Sequence, residues 1–235
     1  MTTARLLPLV ASLTLAMAGA AHAAAAPHAF RATYEVQRDG SVIGQSKLTL
    51  SQDGDGTWQY RSSMKGTSGL AALLGASVKE TSHFRWQDNA PEALSYDYSM
   101  DVSVKSKERH LKVDWAGKQV TVTTKKGTEH YATAPGLVER HTVPLAIAMA
   151  LDDDKRSVNL PVAVRDRVQV QRYQVKGKSE VSVPAGQFQA ERVDRTDDAK
   201  SFSAWYVPGK FLVPVKLSQS DGGDITMLLK SYSAR

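Results

Sequence analysis

The feature that most constrains this chain is a two-residue apolar rhythm, broken at short intervals by turn residues. In "FRATYEVQRDG", Phe30, Ala32, Tyr34 and Val36 fall at every second position. An extended backbone sends successive side chains to opposite faces, so this spacing makes one apolar and one polar face. Asp39-Gly40 follows, and "SVIGQSKLTLSQ" then carries Ile43, Leu48 and Leu50. Two such runs around Asp-Gly predict a tight hairpin, because those residues tolerate the positive φ angles that the turn needs. "DGDG" over 53–56 predicts the next turn and "TWQYRSSMKG" a third strand. The chain begins as an up-and-down meander.

The rhythm returns in "KETSHFRWQ", with "NAPE" as a turn, and then in "ALSYDYSMDVSVKS" and "KERHLKVDWAG" as a long hairpin. "KQVTVTTKKG" and "TEHYAT" predict another hairpin. Further on, "VSVPAGQFQAERV" predicts strand, corner, strand: Pro184 presets φ, and Gly186 accepts a positive φ. Phe188, Ala190 and Val193 do not keep one face, which predicts a bulge there. Pro208 and Pro214 bracket "GKFLV", which predicts an edge or bent strand, since proline cannot donate to a ladder. No repeat relates the two halves, and no long linker divides them.

Two segments leave the rhythm. In "TSGLAALLGASV", Leu70, Leu73 and Leu74 have helical spacing, with Ser68 as a possible cap and Gly75 as a stop. It is a short helical segment or an apolar loop. "TVPLAIAMALDDD" is the clear interior helix, with Thr142 as N-cap and Pro144 in the first turn. Leu145, Ile147, Ala148, Met149 and Leu151 make it apolar nearly all round, so it should be buried or lid-like. The three aspartates 152–154 meet the helix dipole unfavourably and call for a cation, for Lys155 or Arg156, or for solvent. The expected fold is all-β: a curled antiparallel sheet, a β-roll or open barrel, with one buried helix and one short helical segment. It forms a single domain over residues 24–235.

Residues 1–23 have the order of a secretory signal peptide: Arg5, the uncharged apolar run "LLPLVASLTLAMAG", then "AHA". The run falls short of the roughly 20 residues a spanning helix needs. The expectation is a periplasmic protein, cut near Ala23 and without a membrane anchor. There is no cysteine, so disulfides, thiolate metal sites, cysteine nucleophiles and a lipid-bearing cysteine are all excluded. The chain must hold together by its core, and about 210 residues after the leader are ample for one.

Lysine and arginine number 30 against 24 acids, a net charge of +6. That balance suits an anionic partner such as lipid or lipopolysaccharide. Nucleic acid would need a dense basic stripe with interleaved aromatics, whereas these cations are spread along the chain and mixed with acids.

The chemistry-bearing residues form no recognisable catalytic motif. There is no G-x-S-x-G elbow, and Ser68 before Gly69 lacks its context. His28, His83, His110, His130 and His141 show no H-E-x-x-H or H-x-H spacing. A calcium loop starting at Asp53 would need Glu at its twelfth position, where Met64 stands. Asp97, Asp101 and Asp114 lie on predicted strands, and nothing singles out a pair. No catalytic residue, metal or cofactor is therefore assigned. The strand aromatics suit core packing, or the lining of a sheet curled around an apolar ligand. The candidate ligand contacts from the helical segments are Leu70, Leu73, Leu74, Ile147 and Met149. Those from the strands are Trp86, Tyr98 and Trp205.

The order of "FRATYEVQRDGSVIGQSKLTL", "VKETSHFRW", "VSVPAGQFQAERVDR" and "FSAWYVPGKFLVPVKL" resembles the exported bacterial family known as domain of unknown function 3108. The resemblance runs from about Phe30 to Tyr232. It implies a periplasmic β-rich roll and assigns no activity or catalytic residues. The closing stretch from Ala204 is also similar to the last strands of half-barrel periplasmic lipoprotein carriers, whose concave face holds acyl chains. The expected function is a soluble, non-enzymatic envelope protein that binds an apolar or amphipathic, lipid-like ligand. The alternatives are a module that docks an envelope protein by sheet-edge pairing near "FLVPVKL", or a lipid or glycan hydrolase.

Overall fold

The computed structural model describes residues 27–103, 105–198, 202–220 and 224–235. The leader expected over residues 1–23 lies outside them. The first half runs β1 (Phe30–Arg38), β2 (Ser41–Gln52), β3 (Trp58–Gly66), α1 (Gly69–Leu73), β4 (Ser77–Gln87), β5 (Ala90–Val102), β6 (Lys105–Asp114), β7 (Gln119–Thr124) and β8 (Gly127–Ala132). The second runs β9 (Val138–Glu139), α2 (Val143–Asp152), β10 (Ser157–Ala163), β11 (Val168–Val183), β12 (Gly186–Arg195), β13 (Phe202–Tyr206), β14 (Lys216–Gln219) and β15 (Ile225–Ala234).

These strands form a single unclosed sheet with two meanders joined at its centre. From β8 the order steps back to β1, crosses to β15, and steps back again to β9. Every pairing is antiparallel except β9 with β10. Alternation is clearest in β1, where Phe30, Ala32, Tyr34 and Val36 are buried. Asp39 and Gly40 take φ of 48° and 77°, as a primed hairpin turn requires.

The sheet curls because its register slips. An extra residue enters β2 opposite Val36/Gln37, β15 opposite Thr33/Tyr34, and β11 at Lys176, and each bulge bends its strand. The bulge expected in "GQFQAERV" therefore sits on the partner strand. At one end the roll meets itself. Tyr131 of β8 donates to the carbonyl of Val164 at 2.6 Å, and the N–H of Ala93 donates to the carbonyl of Leu137 at 2.8 Å. Tyr96, Leu111 and Val122 pack there with Leu137 and Ala163. Helix α2 fills the same end, with Val143 and every residue from Leu145 to Leu151 buried. The opposite end carries α1 and stays open.

Four local expectations are corrected. The turn expected at "NAPE" lies one residue earlier, on Asp88 and Asn89 with φ of 48° and 59°, and Ala90-Pro91-Glu92 already belong to β5. "GKFLV" is not a strand but a loop whose Leu212 and Val213 are buried in the core. The following strand β14 lies between β13 and β15, so "FLVPVKL" offers no free edge; β8 and β9 end the sheet. Thr142 does not cap α2 with its side chain. The buried carboxylate of Glu139 does so, accepting the N–H of His141 at 2.7 Å and of Thr142 at 3.1 Å. At the other helix end, Asp152 accepts the N–H of Gly209 at 2.7 Å, Asp153 pairs with Lys155, and Arg156 turns to Glu191.

Candidate functional site

A cavity of about 840 Å³ opens at the α1 end, between the curled strands and the start of α2. The inner faces of β1 to β5, β14 and β15 form its wall. That wall is apolar where Leu48, Met64, Val78, Met100, Leu217 and Met227 project. Alternation makes this possible: each of these residues shares a strand face with the core residues farther along. The volume falls within the range of pockets that enclose a small organic molecule.

The rim is apolar too. Leu70 and Leu73 of α1 are 72 % and 80 % exposed, and Leu74 and Val42 are exposed beside them. Ser68 holds α1 down by donating to the carbonyl of Val42, and the N–H of Ser103 donates to the carbonyl of Leu74 at 3.0 Å. Gly66 lets α1 fold back this closely. A Cβ at Gly66 would fall inside contact distance of the Ala71 carbonyl.

The floor is charged. Glu80, Arg140 and His141 reach it from β4 and from the turn before α2. Glu80 accepts the hydroxyl of Tyr96 at 2.6 Å and that of Ser62 at 3.4 Å, and lies 3.8 Å from Arg140. Burial works to raise the Glu80 pKa. His141, Arg140 and the two hydroxyls outweigh burial, and the pKa falls below the ordinary 4.5. Burial likewise opposes the charge of Arg140, but Glu80 and the neighbouring Tyr96 and Tyr98 raise its pKa. Its guanidinium stands 5.8 Å over the ring of Tyr98, and more than half of its side chain faces open space in the cavity it lines.

His141 stacks on Tyr60 with centroids 4.5 Å apart, and its Nδ1 shares a 2.8 Å hydrogen bond with Ser82. A serine, a histidine and a carboxylate are thus close together, the clustering a hydrolase would need. The arrangement does not work as one. Ser82 is 0 % exposed and does not line the cavity. Glu139 binds the backbone of His141, not its ring. Glu80, held ionised by its partners, suits a counter-ion for Arg140 better than a general acid near neutral pH. No group of three or more acids and histidines among the described residues could hold a metal ion.

Of the residues expected from sequence, Leu70, Leu74 and Tyr98 line the cavity. The others do not. Leu73 sits on the rim, pointing outward. Ile147 and Met149 are core residues of α2. Trp86 packs on Phe84 near the far end of β4. Trp205 projects from the sheet face opposite Ala204 and Tyr206, between Arg192 and Lys216. The floor residues Glu80, Arg140 and Ser62 were missed. The available signal was Glu80 itself, a charge on the otherwise inward parity of Val78, Ser82 and Phe84.

Fold and cavity together define a β-barrel-like domain with an internal amphipathic pocket. The chain belongs to the family described as protein of unknown function DUF3108, whose model matches residues 30–230. No curated protein matches the chain. Among solved structures it is similar to a β-barrel-like protein of domain of unknown function DUF1849 from Brucella abortus. That likeness has a TM-score of 0.50 at 9 % identity, over 88 % of this chain and 98 % of the other. At that identity it speaks for the fold alone. No helix among the described residues is long and apolar enough to cross a membrane.

Proposed function

We propose that this is an exported, non-enzymatic protein of the periplasm that holds an apolar or amphipathic, lipid-like ligand. The observation that carries the proposal is the cavity itself, with an apolar wall, a charged floor at Arg140 and Glu80, and an apolar rim at α1. Burying an acyl chain against that wall stabilises a complex by roughly 0.8 kcal/mol per methylene. The leader-like residues 1–23 supply the compartment.

Two measurements test the proposal. Expression of the full chain in a Gram-negative host, followed by fractionation and N-terminal sequencing, should give a periplasmic protein starting at Ala24. Gentle purification followed by native mass spectrometry should reveal a stoichiometric acyl-chain adduct, identified after extraction. A clean apo mass that does not shift with added envelope lipids would defeat the binding proposal.

A further inference from the structure

The first half of β6 alternates in an unusual way. Directly paired residues of antiparallel strands project to the same side of a sheet. Tyr98, Met100 and Val102 of β5 line the cavity, and their partners on β6 are Arg109, Lys107 and Lys105. The face that is apolar at Leu111 and Val113 is therefore cationic nearer the open end. Alternate strand residues lie about 6.7 Å apart, so the three cations span roughly 13 Å beside the apolar wall. Arg140, over the Tyr98 ring, continues the row to the cavity floor.

Among the described residues, acids do not neutralise this row. Asp97, Asp101 and Glu108 belong to the opposite face by the same register. Glu80 is already beside Arg140, and Glu129 reaches this face only on β8, two strands away. No ion pair among the described residues involves Lys105, Lys107 or Arg109. A row of unpaired lysines on a solvated surface would be ordinary. Here the row borders an apolar cavity along its length, so the two form one amphipathic surface.

We infer that the cavity's ligand carries a phosphate-bearing head held by Lys105, Lys107 and Arg109, with its apolar chain along Met64 and Val78. This rests on the proposal that the cavity binds an amphipathic molecule. Three cations in a row oversupply a single carboxylate, whereas a phosphate offers several oxygens and up to two charges to lysine and arginine.

Isothermal titration of the full chain with four probes tests this: dioctanoyl phosphatidic acid, dioctanoylglycerol, the succinate monoester of dioctanoylglycerol, and inorganic phosphate. The phosphatidic acid should bind about tenfold or more tightly than the neutral diglyceride, an advantage that shrinks in about 0.5 M salt. Lys105→Glu with Lys107→Glu should abolish the advantage and leave diglyceride binding unchanged. Both lysines are exposed, and the milder Lys105→Gln with Lys107→Gln should act in the same direction. Equal affinity for phosphatidic acid and diglyceride would overturn the head site and leave the cavity proposal standing. Equal affinity for the succinate ester would overturn the phosphate assignment. Inorganic phosphate binding as tightly as phosphatidic acid would overturn the coupling of head to chain. Binding of none of the four would remove the cavity proposal and this inference with it.

Discussion

Glu80 of β4 accepts the Tyr96 hydroxyl of β5 at 2.6 Å, although its direct partner in the ladder is Tyr98 and that of Tyr96 is Ser82. The diagonal bond links the floor of the cavity to the closed end of the roll, where Tyr96 packs with Leu111 and Leu137. It also helps hold a carboxylate ionised where burial would favour its neutral form.

The protein should accordingly lose stability in acid through Glu80. A carboxylate whose pKa falls on folding adds stability that is complete above its unfolded value. That stability disappears as pH drops through the folded value. For Glu80 the loss begins below its ordinary 4.5. Thermal unfolding of the protein and of Glu80→Gln, compared at about pH 7 and about pH 3, should give a difference in Tm that shrinks in acid. A difference independent of pH would mean that Glu80 is not the linked group.

Helix α2 should depend on Glu139 more than on Thr142. The Glu139 carboxylate takes the backbone N–H of His141 and shares that of Thr142 with the carbonyl of Glu139 itself. The Thr142 hydroxyl only donates back to the carbonyl of Glu139 at 3.1 Å. Glu139→Ala should cost about 2 kcal/mol, because it leaves the buried His141 N–H unpaired, and Thr142→Ala about 1 kcal/mol or less. Chemical denaturation of both variants checks the order, and the reverse order would return the cap to Thr142.

The same helix shows how far the sequence could be followed. Its position, its burial and the proline in its first turn were legible, because an apolar run of that length has few other solutions. Its cap was not, because a carboxylate three residues upstream competes with the nearer threonine and only tertiary placement decides between them. The meander was legible for a similar reason: Asp39-Gly40 and the parity of Phe30 to Val36 are local. The crossing from β1 to β15 is not local, and neither is the curl that brings Tyr131 to Val164. In the cavity, Leu70, Leu74 and Tyr98 could be selected by type. Trp86, Ile147, Met149 and Trp205 have the same character but serve the core or the outer face, since large apolar side chains fill a roll and line a pocket alike. The cationic parity of Lys105, Lys107 and Arg109 was visible in the string, yet it meant nothing until the register set it beside Tyr98, Met100 and Val102.

Gly66 should be intolerant of a side chain. Its Cβ would collide with the Ala71 carbonyl, and backbone cannot rotate away as a long side chain would. Gly66→Ala should destabilise by about 1–3 kcal/mol through overpacking and loosen α1 from the rim. Gly54→Ala, where an added Cβ meets nothing within 4 Å, should change stability by less than about 0.5 kcal/mol. Urea unfolding separates the two, and hydrogen exchange at residues 69–74 should accelerate only in the Gly66 variant.

Filling the cavity should separate binding from folding. Met64 projects from β3 into the open space and is only partly buried, so a larger side chain there can extend into the void without displacing packed neighbours. Met64→Trp should leave stability within about 1 kcal/mol of the parent, since added apolar surface also becomes covered. It should lower lipid uptake by at least about tenfold, because the indole occupies volume that an acyl chain needs. Native mass spectrometry after incubation with envelope lipids, run beside a thermal melt, reads both effects. Retained uptake with an unchanged melt would place the ligand on the outer surface. A collapsed melt would show that the residues around Met64 are packed too tightly for a cavity to be there.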